Sequence, residues 1–203
     1  MPDTAGSNLR EICAHVDGVF GQSAQHLHER YSPDHVHIDL LHYPPNNQRE
    51  FHYLVTSGVS DLAMSGAAPE ERLELTIALP AEWDISPKGF QNPLVWEPVK
   101  LLKILARYPH GYRTFFAKGH TIPLGEETLL SPMKAALLMP PILVPNLTAP
   151  LERNGLRIHF LAVYLIHQDE LEQKLSRVDE LLARFADVGL TELYDLSRPS
   201  VLS

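Results

Sequence analysis

Histidine carries the most chemical potential in this chain, because a neutral imidazole ligates metals and titrates close to neutral pH. The chain has eleven histidines in 203 residues, two pairs of them dense: His26-Leu27-His28 and His35-Val36-His37. If the segment from Val36 to Leu40 is a strand, then His35, His37 and Asp39 share one face, roughly 7 Å apart at each step of two residues. That spacing supplies two metal ligands and leaves the rest to come from His52, His120 or His159. The competing reading is a solvated polar strand face. No His-Glu-x-x-His helix and no cysteine pair accompanies the histidines. The only cysteine, Cys13, excludes an internal disulfide and reads as a small buried hydrophobe. No metal and no cofactor is assigned on this basis.

Nucleophile and nucleotide chemistry find no frame either. Gly58-Val59-Ser60-Asp61-Leu62 lacks the second glycine of a Gly-x-Ser-x-Gly elbow, so Ser60 and Asp61 read as turn or helix-cap residues. The glycines are scattered, and neither the phosphate-loop nor the dinucleotide pattern occurs. One charge pattern stands out. Lys100, Lys103 and Arg107 recur at three and four residues, which puts them on one helix face, with Arg113 and Lys118 soon after. Such a stripe either meets an acidic partner surface or is the ordinary outward face of an amphipathic helix.

The elements that would position these residues follow from periodicity. Asn8 with Glu11 three residues on, then Leu9, Ile12, Cys13, Val16 and Phe20, predicts an amphipathic helix to about residue 20. Val36, Ile38 and Leu40 predict a half-buried strand, and Pro44-Pro45-Asn46-Asn47 turns the chain into a second strand over 51–57, completing a hairpin. Residues 72–79 alternate so that Leu73, Leu75, Ile77 and Leu79 are buried and Arg72, Glu74 and Thr76 face water. Val99 to Tyr108 predicts a helix ending near Pro109-His110-Gly111, and a strand is expected within 114–122. Ile158 to Ile166 is apolar on both sides apart from His159, which marks a central strand. Leu171, Leu175, Val178, Leu182 and Phe185 predict a C-terminal helix, with room for a kink, closed by Gly189; a short strand is expected near 193–196. The fold class is α+β: a central mixed, mainly antiparallel sheet flanked by helices.

Length and 44% hydrophobic content suit one domain over residues 1–203, with 1–30 an N-terminal helical segment and 31–203 the main body. The net charge of -8 opposes general attraction to nucleic acid or an anionic membrane. Neither a signal-peptide start nor an apolar run of about 18 residues is present, so a cytoplasmic protein is expected.

The run Tyr53 to Met64 (YLVTSGVSDLAM), followed by Leu73 to Pro80 (LELTIALP) and Trp83, resembles the signature of the suppressor-of-fused domain. The resemblance continues in order through Leu105-Ala106-Arg107-Tyr108, Gly119-His120-Thr121-Ile122, Ala136 to Pro141, Phe160 to Leu165, Asp169-Glu170-Leu171 and Asp195 to Arg198. It covers roughly residues 30–200 and is strongest as a compact, single-domain, bacterial-type member. The resemblance implies a sheet flanked by helices and a function in binding rather than catalysis. Animal members of the family hold a short extended peptide of a zinc-finger transcription factor between this domain and a second one. A tyrosine in the Leu-Ala-Arg-Tyr stretch and an acid just before the histidine help to hold it. Tyr108 and His120 match the tyrosine and the histidine, but Lys118-Gly119 precedes His120 and offers no acid. The expected partner is therefore another protein or an extended peptide segment, though not that peptide by default. Tyr108, His120, Lys100, Lys103 and Arg107 are the candidate contacts. Stand-alone bacterial members further imply an immunity protein that neutralises a toxin. Two other functions stay open: a metal-dependent hydrolase or small-ligand binder built on the histidines, and a homo-oligomeric scaffold using an unpaired sheet edge.

Overall fold

The computed structural model of the chain describes residues 8–29, 36–68, 70–125 and 132–203. In chain order these form α1 (Leu9–Phe20), β1 (Gln25–Leu27), β2 (Asp39–Tyr43), β3 (Phe51–Ser57), β4 (Glu71–Pro80) and α2 (Pro93–Gly111). There follow β5 (Thr121–Pro123), β6 (Ala135–Met139), β7 (Leu151–Arg153), β8 (Leu156–Ile166) and α3 (Gln168–Asp187). The strands join one sheet in the order β1-β2-β3-β4-β8-β6-β5, with β7 paired to β8. Only β4 and β8 run parallel; the other pairings are antiparallel, so the mixed, mainly antiparallel sheet expected from the sequence is present.

The sheet is covered on both faces because its strands alternate two apolar sets. Leu40, Leu54, Leu75, Ile77, Leu138 and Val163 point toward Val99, Leu102 and Leu105 of α2. Their neighbours point the other way: Leu41, Tyr43, Tyr53 and Phe160 pack on Ile12, Val16 and Phe20 of α1, and Leu137, Tyr164 and Ile166 pack on Leu181 and Phe185 of α3. Each such side chain removed from water is worth about 1.5–3 kcal/mol, so α1 is held by three apolar residues rather than by its ends. Asn8 makes no side-chain cap on α1.

Several boundaries move. Helix α2 starts at Pro93, where Asn92 accepts from the Leu94 amide at 3.1 Å, and so absorbs Pro98 within its early turns. The strand expected within 114–122 shrinks to the short β5 at its end. The strand expected near 193–196 is a single bridge, with the Tyr194 amide donating to Ala78 O at 2.8 Å. Helix α3 is kinked at Arg177, whose φ of -148° and ψ of 63° leave the helical region.

The larger correction concerns β4. Glu74 and Thr76, expected to face water, are both fully buried, because β4 is central and α1 with the loop after β3 closes its second face. The chain meets the cost of a buried carboxylate with four donors. Thr56 Oγ1 and Ser60 Oγ each donate to Glu74 at 2.6 Å, and the Gly58 and Ser60 amides donate at 3.1 and 3.0 Å. Asn8 Nδ2 donates to Ser60 O at 3.0 Å, and Asp61 accepts the Asn8 amide at 2.6 Å, so the network ties α1 to the sheet. Ser60 and Asp61 thus are local structural residues, as their place in a turn implied. Gly58 is required: its φ is 134°, and a Cβ there would lie 2.0 Å from His37 O.

Candidate partner-binding groove

The end of α2 builds the groove. Tyr108 stands in its last turn and Tyr112 just beyond, the two rings 4.4 Å apart. Arg113 adopts φ 51°, and the chain doubles back so that buried Phe116 stacks on Tyr108 at 5.6 Å. A second turn brings His120 beside Phe115, ring centres 5.2 Å apart. Its backbone is pinned to β6: the Gly119 amide donates to Leu138 O at 2.7 Å, and the Leu138 amide donates to His120 O at 2.9 Å. Tyr108 and His120 therefore line one cleft of about 390 Å³, together with Tyr112, Phe115, Ile122 and Lys174.

On the other side of Phe115 and Phe116 the surface continues into a cleft of about 420 Å³, walled by Met64, Leu73 and Leu161 and bordered by Glu71, Lys118 and His159. Glu71 accepts from Arg157 at 2.8 Å and contacts His159, so its charge is matched within the chain. Beside the first cleft runs β5, the last strand of the sheet, whose outer edge has no strand partner among the described residues. The arrangement offers aromatic walls, two lysines and an open backbone edge. These are means by which an extended segment can be held.

The basic stripe is real in geometry but largely occupied. Lys103 Nζ lies 3.3 Å from Glu29, and Arg107 also binds that carboxylate. Burial tends to raise the Glu29 carboxyl, but the Ile38 amide, the Arg107 hydrogen bond and the two cations together hold it below the usual carboxylate range. Lys100 is exposed and only 3.6 Å from Glu97.

The histidines scatter. His35 lies outside the described residues. His37 and His28 both pair with Asp39, at 3.1 and 3.2 Å. Asp39 is buried rather than on a water-facing strand side, because it also caps the Glu29 amide at 2.8 Å. His52 is buried against His42, His120 sits in the groove, and His159 binds Glu71. Among the described residues no three His, Cys, Asp or Glu side chains converge where a metal ion could sit. Cys13 is partly buried with its thiol pushed up to about 11, chiefly by desolvation, and is no nucleophile at neutral pH.

Phe115, Phe116 and Ile122 are groove residues that sequence reasoning passed over. The available signal was the density of aromatic side chains between Tyr108 and Phe116.

Sheet, helices and grooves together define an α+β domain with two-sided cores and open surface clefts. The chain belongs to the suppressor of fused family: the model of the family, described as Suppressor of fused protein (SUFU), matches residues 34–199. No curated protein matches it in sequence. Among solved structures, a SUFU homologue from Neisseria gonorrhoeae FA 1090 is 19% identical, covers 95% of each chain and superposes with a TM-score of 0.70. A chain of the Sufu-Fu complex is 17% identical with a TM-score of 0.69, over 97% of this chain and 93% of that one. Drosophila Suppressor of Fused is 18% identical with a TM-score of 0.68; the alignment covers 96% of this chain but 51% of that one, about half its length. At these identities the likeness establishes the fold. No helix among the described residues is long and apolar enough to cross a membrane.

Proposed function

We propose that this chain is a non-catalytic protein-binding module that takes an extended segment of its partner along the groove of Tyr108, Phe115 and His120. One observation carries the reading: the two residues singled out by family resemblance, Tyr108 and His120, come from different parts of the chain yet line the same cleft, beside a sheet edge with no strand partner among the described residues. A segment laid along β5 would add backbone hydrogen bonds, while Phe115 and Tyr112, 37% and 72% exposed, supply apolar contact. The segment differs from the animal peptide, because Gly119 stands where the acid would be and leaves a peptide histidine without its charge-assisted acceptor.

Of the basic stripe, Lys100 is the cation left for a partner; Lys103 and Arg107 contribute by holding Glu29. In the cytoplasm of a bacterium such a module serves as an immunity protein against a toxin. The net charge of -8 supports that role, since opposite charge speeds the encounter with a basic toxin nuclease.

The experiment is co-expression with the products of neighbouring genes, followed by calorimetric titration of any partner recovered. Phe115→Ser and His120→Ala should each weaken binding by roughly tenfold, about 1.4 kcal/mol, with unchanged circular dichroism. Wild-type affinity in both variants would remove the groove from the interface, and recovery of no partner from any neighbour would count against the immunity role.

A further inference from the structure

A third cleft, of about 510 Å³, opens at the opposite end of β4 and is lined by Trp83 and Tyr194 together with Glu50, Glu82 and Asp195. It is separate from the groove. The groove reaches along β4 as far as Leu73, and this cleft begins at Pro80, its last residue; seven steps at roughly 3.3 Å each place the two linings about 20 Å apart.

Its parts are held firmly. The Tyr194 amide bonds to Ala78 O at 2.8 Å, the ring is 4% exposed, and Trp83 meets it edge-on with ring centres 5.5 Å apart. Asp195 accepts from the Ser197 amide at 2.8 Å and from Ser197 Oγ at 2.6 Å, bonds that fix its carboxylate. Glu50 and Glu82 are exposed and make no hydrogen bond or ion pair with any described residue.

Among the described residues the chain offsets this cleft only in part: Arg198 acts through space on Asp195, and His52 on Glu82. No lysine or arginine is among its lining residues. Arg49, the neighbour of Glu50, turns to the far side of the sheet, where it lies 4.3 Å over the Phe20 ring and donates to Pro44 O at 3.0 Å. Leu94 and Leu193, also lining the cleft, are 51% and 41% exposed, an apolar surface beside three negative charges.

We infer that this cleft accepts an arginine side chain from a protein partner. The methylene stem packs on Leu94 and Leu193, and the planar guanidinium stacks on Trp83 while donating to the carboxylates of Glu50 and Glu82. Arginine suits it better than lysine, because only the guanidinium is flat enough to stack and forked enough to meet two acids at once. The inference is independent of the Tyr108 groove and goes beyond it: it gives the chain a second contact that selects partners by charge.

The test is an NMR titration of the full ¹⁵N-labelled chain with the capped tripeptide Ac-Gly-Arg-Gly-NH₂ and with its citrulline counterpart, which has the same shape and no charge. The arginine peptide should shift the Trp83 indole N–H and the amides of Glu82, Leu193 and Asp195. The citrulline peptide, and the double variant Glu50→Gln/Glu82→Gln with the arginine peptide, should bind at least roughly tenfold more weakly. Both glutamates are exposed and make no hydrogen bond or ion pair with any described residue, so the variant should keep its fold. Equal shifts from the two peptides, wild-type binding by the double variant, or shifts confined to Tyr112 and His120 would overturn the inference. So would a dimer, seen by sedimentation and lost in the double variant, in a chain whose cleft gives no peptide shifts; the occupant would then be a second copy.

Discussion

Replacing Glu74 by glutamine should reverse its stability ranking against the wild type as pH rises. Burial pushes the Glu74 carboxyl up to about 7 from its ordinary 4.5, against the pull of its four donors. A group whose folded value is raised stabilises the fold fully below its unfolded value and loses that contribution as pH climbs through the folded one. At about 1.4 kcal/mol per pH unit, Glu74 therefore withdraws about 3 kcal/mol between pH 4.5 and pH 7. His42 does the opposite. It is buried, its Nε2 lies 2.8 Å from His52 Nδ1, and His52 Nε2 faces Ala81 O at 3.2 Å. That order leaves His42 Nδ1 buried without a partner among the described residues, and burial, with His52 beside it, pushes His42 down to about 4. Its contribution is present above 6.5 and is lost as pH falls toward 4, again about 3 kcal/mol. In the wild type the two slopes nearly cancel.

Glutamine removes one of them. Its amide nitrogen would face the Thr56 hydroxyl, which donates to the carboxylate at 2.6 Å and would lose that acceptor, at a cost of about 1–2 kcal/mol. E74Q should thus be the less stable protein at pH 4.5 and the more stable by about 1–2 kcal/mol at pH 7, a swing of about 3 kcal/mol. Urea unfolding across this pH range measures the swing. A difference between the two proteins that does not change with pH would show that the donors keep Glu74 ionised throughout, and the reasoning would fail.

Gly58→Ala should lower stability by about 2–4 kcal/mol, measured by chemical denaturation, since the new methyl meets His37 O at a backbone angle alanine avoids. Arg107→Glu should cost about 2–4 kcal/mol by setting a like charge against partly buried Glu29, while Lys100→Glu, on the exposed end of the same stripe, should stay within about 0.5 kcal/mol. Equal losses from both would show that Glu29 does not anchor α2. With the stability of Lys100→Glu intact, its affinity for a partner and the salt dependence of that affinity report directly on whether the stripe is a contact.

Period and punctuation carried most of the fold. The alternation from Arg72 to Leu79 and the apolar run to Ile166 located the two central strands, but alternation alone assigned Glu74 to water. A polar residue on a strand reports only that one face differs from the other; whether the second face is also covered depends on α1, which is distant in sequence. The β7–β8 hairpin was written in Asn154-Gly155, whose φ angles of 48° and 79° are those of a tight turn, and went unread. The groove was half legible. Resemblance pointed to Tyr108 and His120, while Phe115 and Phe116 fell in a segment expected to hold a strand, and that strand forms only at 121–123, leaving the two rings in irregular chain. Charges misled most readily: the helical spacing of Lys103 and Arg107 was correct, yet nothing local could reveal that Glu29 waits for them.

The strongest family signature lies outside the groove, even though Tyr108 and His120 belong to both the resemblance and the groove, and this bears on what membership implies. The strongest signature, Tyr53 to Met64, folds into the cradle of Glu74: Thr56, Gly58 and Ser60 are all spent on one buried carboxylate, and Asp61 on the Asn8 amide. A segment under that constraint is kept by the need to satisfy buried polar groups, whatever the protein binds. The groove has no such constraint: Tyr112 and Phe115 are exposed, and a Cβ on Gly119 would meet nothing within 4 Å. Binding specificity can therefore drift there at little cost to the fold, as the missing acid before His120 already indicates. The partner has to be sought from the chemistry of the clefts, an aromatic groove with an open strand edge at one end of β4 and an acidic, tryptophan-lined cleft at the other.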